Sequence, residues 1–190
     1  MLKSAFAVIA LLSLPAAALC QQKTGAKTAP IASAVVKPEQ TSVMYGDCMF
    51  IVRYTPPSVN GRKIFGGVVP YGKVWAIGET APVTLHAEAD MQFGDFSLFK
   101  GDYSVYILPD NDSWHLIFNR QTGAKAIAYD PSQDIGRIKM TVAKSASSVE
   151  TCAITLTKTG ELAGKLQLAW ENTTATVPFY LDRAAIDKEW

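Results

Sequence analysis

The stretch Tyr103-Ser104-Val105-Tyr106-Ile107-Leu108, Pro109-Asp110-Asn111-Asp112, Ser113-Trp114-His115-Leu116-Ile117-Phe118-Asn119 reads as two strands around a turn. β-branched and aromatic residues fill both arms, and the connection between them has the Pro/Asp/Asn chemistry of a tight turn. The same pattern recurs on both sides of this hairpin. Candidate strands fall at residues 43–54, 82–89, 91–94, 102–108, 113–119, 135–142, 149–158, 164–171 and 174–180. A second hairpin runs from Cys152 to Lys158, turns through Gly160 and returns from Lys165 to Trp170, continuing past Glu171-Asn172-Thr173. A helical period of 3.6 appears only weakly, from Leu181 to Trp190. So many short strands at this spacing predict an all-β fold, an antiparallel β-sandwich or open barrel. The segment from Pro56 to Ala81 fits no regular element. It is expected to be one long ordered loop, either functional or packed on itself.

The amino terminus has a different logic. Lys3 supplies the one charge before residue 23, and an apolar run from Ala5 to Leu14 follows it, then Pro15 and the small residues Ala16 to Ala18. Charge, short apolar core and small-residue end predict a cleaved signal peptide over residues 1–20. The apolar run falls short of the roughly 20 residues that span a bilayer, so no transmembrane segment is expected in the mature chain. Cys20 invites comparison with a lipoprotein, but Leu19 and Ala17 are the wrong residues for that processing signal, and a lipid anchor is not expected. The expected destination is the periplasm or the medium. Residues 21–40 are rich in Ala, Thr, Lys and Pro without period and suit a flexible linker. A single β domain over 41–182 and a tail over 183–190 complete the expected organisation.

Removing residues 1–20 takes Lys3 from the 18 basic residues and leaves 17 against 17 acidic ones, a net charge of zero. Such a balance offers no electrostatic footprint for nucleic acid. Cys48 and Cys152 remain in the mature chain. In strands, Cys48 shares a face with Phe50 and Val52, and Cys152 with Ile154 and Leu156, so both thiols should point inward. Two buried thiols and one disulfide between an early and a late strand are both open readings in an oxidising compartment.

The central loop carries a resemblance. Pro57-Ser58-Val59-Asn60-Gly61-Arg62-Lys63-Ile64-Phe65-Gly66-Gly67-Val68-Val69-Pro70-Tyr71-Gly72-Lys73-Val74-Trp75 is similar to the hallmark of the bacterial family catalogued as domain of unknown function 2911. Leu98-Phe99-Lys100-Gly101-Asp102-Tyr103-Ser104, the Trp114 strand and Leu168-Ala169-Trp170-Glu171 resemble its later blocks in the same order. The resemblance covers roughly residues 41–180 and implies an exported β domain, without an established activity. It breaks after Trp75, where an Arg and an Asn typical of relatives are replaced within Ala76-Ile77-Gly78-Glu79-Thr80-Ala81.

Gly67 to Lys73 has the spacing of a phosphate loop, but Val74 stands where Ser or Thr should bind magnesium, and Pro70 has no N–H to give. No nucleotide or other cofactor is expected. The two histidines, His86 and His115, fall on outward positions of their strands, and no spacing suits a metal. The leading expectation is a non-catalytic exported binding or envelope-associated module. Its candidate binding residues are Arg62, Lys63, Tyr71, Lys73, Trp75 and Glu79, suited to a small polar or sugar-like ligand or an envelope partner. The competing expectation is a carbohydrate- or ester-directed hydrolase using Glu79 with Asp102, Asp95 or His86. In the plain packing alternative, Phe65, Val68, Val69, Val74 and Ile77 plug the loop onto the sandwich.

Overall fold

Period-two alternation carries directly into the fold. The computed structural model describes residues 37–186 apart from 79–80, 112 and 124–127, and for Ala185 and Ile186 the backbone alone. β1 (Glu39–Tyr45) and β2 (Cys48–Tyr54) form a hairpin in which Tyr45 pairs with Cys48. The sequence reading ran residues 43–54 together as one strand. The break comes at Gly46-Asp47, where Gly46 has a φ of 59°. A positive φ at the first central residue is what a two-residue type II′ turn requires, and glycine adopts it without a Cβ clash. The first strand starts at Glu39, ahead of both the expected strand start at residue 43 and the expected domain start at Thr41.

The chain continues through β3 (Trp75–Ala76), β4 (Val83–Ala87), β5 (Met91–Phe93), β6 (Phe96–Leu98), β7 (Gly101–Leu108) and β8 (Trp114–Asn119). β9 (Asp134–Lys158) and β10 (Ala163–Leu181) then form a long ribbon, and α1 (Arg183–Ile186) is a single helical turn. All pairings between these strands are antiparallel, in the order β1-β2-β4-β7-β8-β9-β10-β5-β6, with β3 on β7. The result is one ten-stranded sheet that does not close into a barrel.

What folds this sheet into two layers is the ribbon. Each of its strands joins two segments that the sequence reading kept apart. β9 begins against β8, pairing Trp114 with Met140, and ends against β10, pairing Lys158 with Gly164. Between these ends the register slips around Glu171, whose φ is 52°. Residues inserted on β9 form bulges there, and bulges bend and twist a strand. The second half of β9 thereby comes back over β1 and β2, where the Leu156 N–H donates to Thr41 Oγ1 and the Ile154 N–H to Tyr54 Oη, both at 3.1 Å.

The core sits between the layers. Tyr45 and Phe50 from the first hairpin meet Phe179 of β10 at ring-centroid distances of 6.1 and 6.5 Å, and Phe93 of β5 meets Phe118 of β8 at 5.1 Å. These inward residues alternate with exposed ones, as in a sandwich.

Cys48 and Cys152 are both buried, on the inward faces that strand parity gave them. Cys48 lies at the turn end of β2. Cys152 lies by the opposite end, near Tyr54 and Glu39. Six residues of strand separate Cys48 from Tyr54, about 20 Å at the usual rise. A disulfide needs Cα atoms within about 7 Å, so the buried-thiol alternative is the one this fold accommodates. Burial, and then the nearby Glu39 carboxylate, push the Cys152 thiol up to about 12.

Tyr54 shows the same effect. Its hydroxyl accepts from Ile154 and donates to Glu39 Oε2 at 3.0 Å. Burial raises its pKa to about 12. A tyrosine held above its unfolded value near 10 stabilises the fold fully below that pH, and the contribution is lost as pH rises through 10 towards 12. Urea unfolding at pH 8 and pH 11 should therefore show Tyr54→Phe losing less stability over that interval than the wild type, although at pH 8 it starts lower by about 1 kcal/mol. Parallel losses in both proteins would show that Tyr54 is not coupled to folding.

Candidate functional site

The loop expected to bind a ligand is built in three steps. It first adds to the free edge of β9: the Cys152 N–H donates to Pro57 O and the Val59 N–H to Glu150 O, each at 2.8 Å, while Ser58 bridges Thr151. It then turns back on itself, with hydrogen bonds from Val69 N to Ile64 O and from Gly66 N to Val69 O at 2.9 Å. Finally it becomes β3, pairing Trp75 with Ile107 in line with β4. Every stage places an apolar side chain inward, and Ile64, Phe65, Val69 and Ile77 are buried.

Its aromatic residues close one end of the core. Trp75 stacks on Trp170 at 5.3 Å with the rings 13° from parallel, and Phe65 lies 4.6 Å from Trp114 and edge-on to Trp170 at 6.1 Å. Packing thus accounts for Phe65, Val69 and Ile77. Val68 departs from the expected plug, being 42% exposed, and Val74 is half-buried.

The six expected binding residues separate by role. Arg62 turns its guanidinium onto the loop's own backbone, donating to Ser58 O at 2.7 Å and to Val59 O at 3.1 Å. Lys63 and Tyr71 meet over Gly66, where an added Cβ would lie 2.9 Å from the Tyr71 ring and 3.7 Å from Lys63 Nζ. Lys73 is exposed, and Trp75 is half-buried in its stack. Glu79 lies outside the described residues. Lys63 and Tyr71 are brought together; Arg62 and Trp75 brace the loop.

The carboxylates considered for hydrolysis occupy different neighbourhoods. Asp102 is 2.8 Å from His86 Nδ1 on the outer face of β4 and β7, and the other ring nitrogen faces Glu88 at 3.8 Å. His86 is thus held between two carboxylates, with no hydroxyl or thiol set against it among the described contacts. Asp95 sits on the β5–β6 turn. No group of three metal-ligating side chains occurs among the described residues.

That turn helps to line a groove of about 630 Å³. Phe93 and Phe96 provide apolar surface, and Asp95, Arg137, Lys139 and Thr141 provide polar groups. Its volume falls in the range of small-ligand seats. Sequence reasoning missed this site because its residues come from three distant segments.

The setting of Arg137 explains part of its geometry. Asn119, fully buried, donates to Asp130 O and Asp134 Oδ1 at 2.9 Å. Asp134 Oδ2 in turn accepts from Tyr129 Oη at 2.6 Å and from Arg137 Nη2 at 2.9 Å. The Asp134 hydrogen bond keeps the guanidinium charged, raising its pKa further. The sequence signal for this network was slight: Asp130-Pro131-Ser132 reads as a cap, and Asp134 with Arg137 as an ordinary surface pair.

Residues 37–179, which span the loop, both hairpins and most of the ribbon, match the family described as "Protein of unknown function (DUF2911)". That is 143 of 190 residues. The chain belongs to the DUF2911 family. The resemblance seen in the Pro57–Trp75 block is thus established over most of the chain, and in this DUF2911 domain the block serves to close the sandwich end. Comparisons with curated proteins and with solved structures return no match.

Proposed function

We propose that this DUF2911 protein is a non-catalytic, exported binding module whose seat is the groove beside β9 and β10. The observation that carries the reading is the groove itself, a concave surface whose lining mixes Phe93 and Phe96 with Asp95, Arg137, Lys139 and Thr141, the combination of apolar and polar groups that small-ligand sites use. The loop supports it in a different way, since Arg62 and Trp75 are committed to bracing. The charged start, apolar run and small residues of the first 20 positions support export to the periplasm or medium.

NMR of the ¹⁵N-labelled protein tests the reading, using N-acetylglucosamine trimer and indole-3-acetate as probes of sugar-like and amphiphilic ligands. Amide shifts at Phe96, Lys139 and Thr141 are expected with at least one probe, and Thr141→Trp, made at an exposed position on the groove wall, should abolish them. Shifts centred on Lys63, Tyr71 and Lys73 would return the site to the loop. Hydrolysis of the trimer, lost on Asp102→Asn, would overturn the non-catalytic reading.

A further inference from the structure

The groove has a shape that the sheet explains. Among the described strands, β9 from Asp134 to Met140 pairs with β8 alone, and β10 beyond Thr176 pairs with β5 alone. Their mutual pairing ends at Thr141 and Thr176. From that point the two strands part, and each leaves one edge of backbone N–H and C=O groups without a strand beside it.

Consecutive residues of both strands line the groove: Arg137, Ile138 and Lys139 of β9, and Val177 and Pro178 of β10. Neighbours along a strand point to opposite faces of a sheet. A cavity over one face would touch every second residue. Contact with all of them places this cavity in the plane of the sheet, where a further strand would lie.

We infer that the groove is a slot for an extended peptide that adds to β9 by strand pairing, an inference that rests on the groove being the binding seat. Main-chain hydrogen bonds supply affinity in such a complex, and alternate side chains supply selectivity. The two faces differ. On the outer face Arg137 and Lys139 are exposed cations two residues apart, and Lys139 has no ion pair among the described residues. On the inner face Ile138 packs against the core beside Phe96 and the buried Val177. The complementary occupant is a peptide of alternating acidic and apolar residues, with its carboxylates on the side of Arg137 and Lys139. Four residues from Arg137 to Met140, the stretch next to the point where β10 leaves, offer about 13 Å of edge, room for about four residues of peptide.

Fluorescence anisotropy with a labelled, acetylated Val-Glu-Val-Glu-Val-Glu peptide tests this, alongside the Val-Lys counterpart and a version N-methylated at alternate amides. The acidic peptide should bind, the basic peptide and the N-methylated peptide should each bind at least about tenfold more weakly, and Lys139→Glu should reverse the charge preference. Thr141→Trp should remove binding, with circular dichroism confirming that the variant is folded. Equal binding of the N-methylated peptide would overturn strand pairing. Groove-mapped binding of the sugar or indole probe without any peptide binding would leave the proposed function standing and sink this inference, whereas no groove binding by any probe would sink both. Concentration-dependent dimerisation that is abolished by Thr141→Trp would assign the slot to a second copy of the chain, and the partner peptide would be wrong.

Discussion

Trp170→Ala should destabilise the domain by about 3–5 kcal/mol, the cost of emptying a large buried aromatic site. Trp170 is fully buried at the end of the core, and three separate contacts depend on it. Trp75 stacks on its face, Phe65 packs edge-on against it, and its Nε1–H donates to Glu150 O. Glu150 also accepts from the Val59 and Asn60 N–H groups at the loop's entry. One side chain therefore holds both the beginning and the end of the Pro57–Trp75 block. The measurement is equilibrium unfolding of the variant together with limited proteolysis, and the loop should become the first cleavage site. Trp75→Ala should cost less, because Trp75 is half-buried and its backbone still pairs with β7. A loss below about 1 kcal/mol for Trp170→Ala would mean that the stack does not hold the loop and that the plug account is wrong.

Gly164→Ala should destabilise by about 1–3 kcal/mol or more, by overpacking. An alanine Cβ at this position of β10 would overlap the Phe179 ring and the Tyr45 hydroxyl. Both rings are buried, so neither can swing into solvent. Tyr45 is moreover fixed by its hydrogen bond to Ala163 O at 2.7 Å and lies under Lys158 Nζ at 4.7 Å. Glycine is needed here for close approach, since its φ lies outside the left-handed region. Phe179→Leu should partly rescue Gly164→Ala in a double-mutant cycle, because the two residues share the crowded space. Strict additivity of the two losses would place the damage elsewhere.

These two sites also show why part of the fold was legible and part was not. Strand parity gave the inward faces of β2, β4 and β8 correctly, since alternation is a local property written into neighbouring residues. The Pro109–Asp112 and Gly160 turns were legible for the same reason. The hairpin at Gly46-Asp47 was passed over because Met44, Tyr45 and Cys48 continue an apolar run across it. The joining of residues 135–142 with 149–158 into one bent strand was hidden as well, since Ser145 to Ser148 look like a loop until β10 pairs around them.

For the candidate site the division is sharper. The sequence marked the Pro57–Trp75 block as unusual, and it is, but unusual for packing: Trp75 looked like an open aromatic face until Trp170, 95 residues later, was found stacked on it. Arg137 and Lys139 carried no signal at all, because a basic residue on the exposed side of a strand is commonplace.

By itself the sequence determined the all-β class, the hairpins at Pro109–Asp112 and Gly160, the faces of β2, β4 and β8 and the family to which the chain belongs. Those properties depend on local periodicity, turn chemistry and a contiguous block of residues. Only the tertiary structure decided that the loop is a plug, that Cys152 of β9 lies by the end of β2 opposite Cys48, and that β9 and β10 part beyond Thr141 and Thr176. Each of these depends on how far a bulged ribbon bends before it packs, and that is settled by contacts between residues a hundred positions apart.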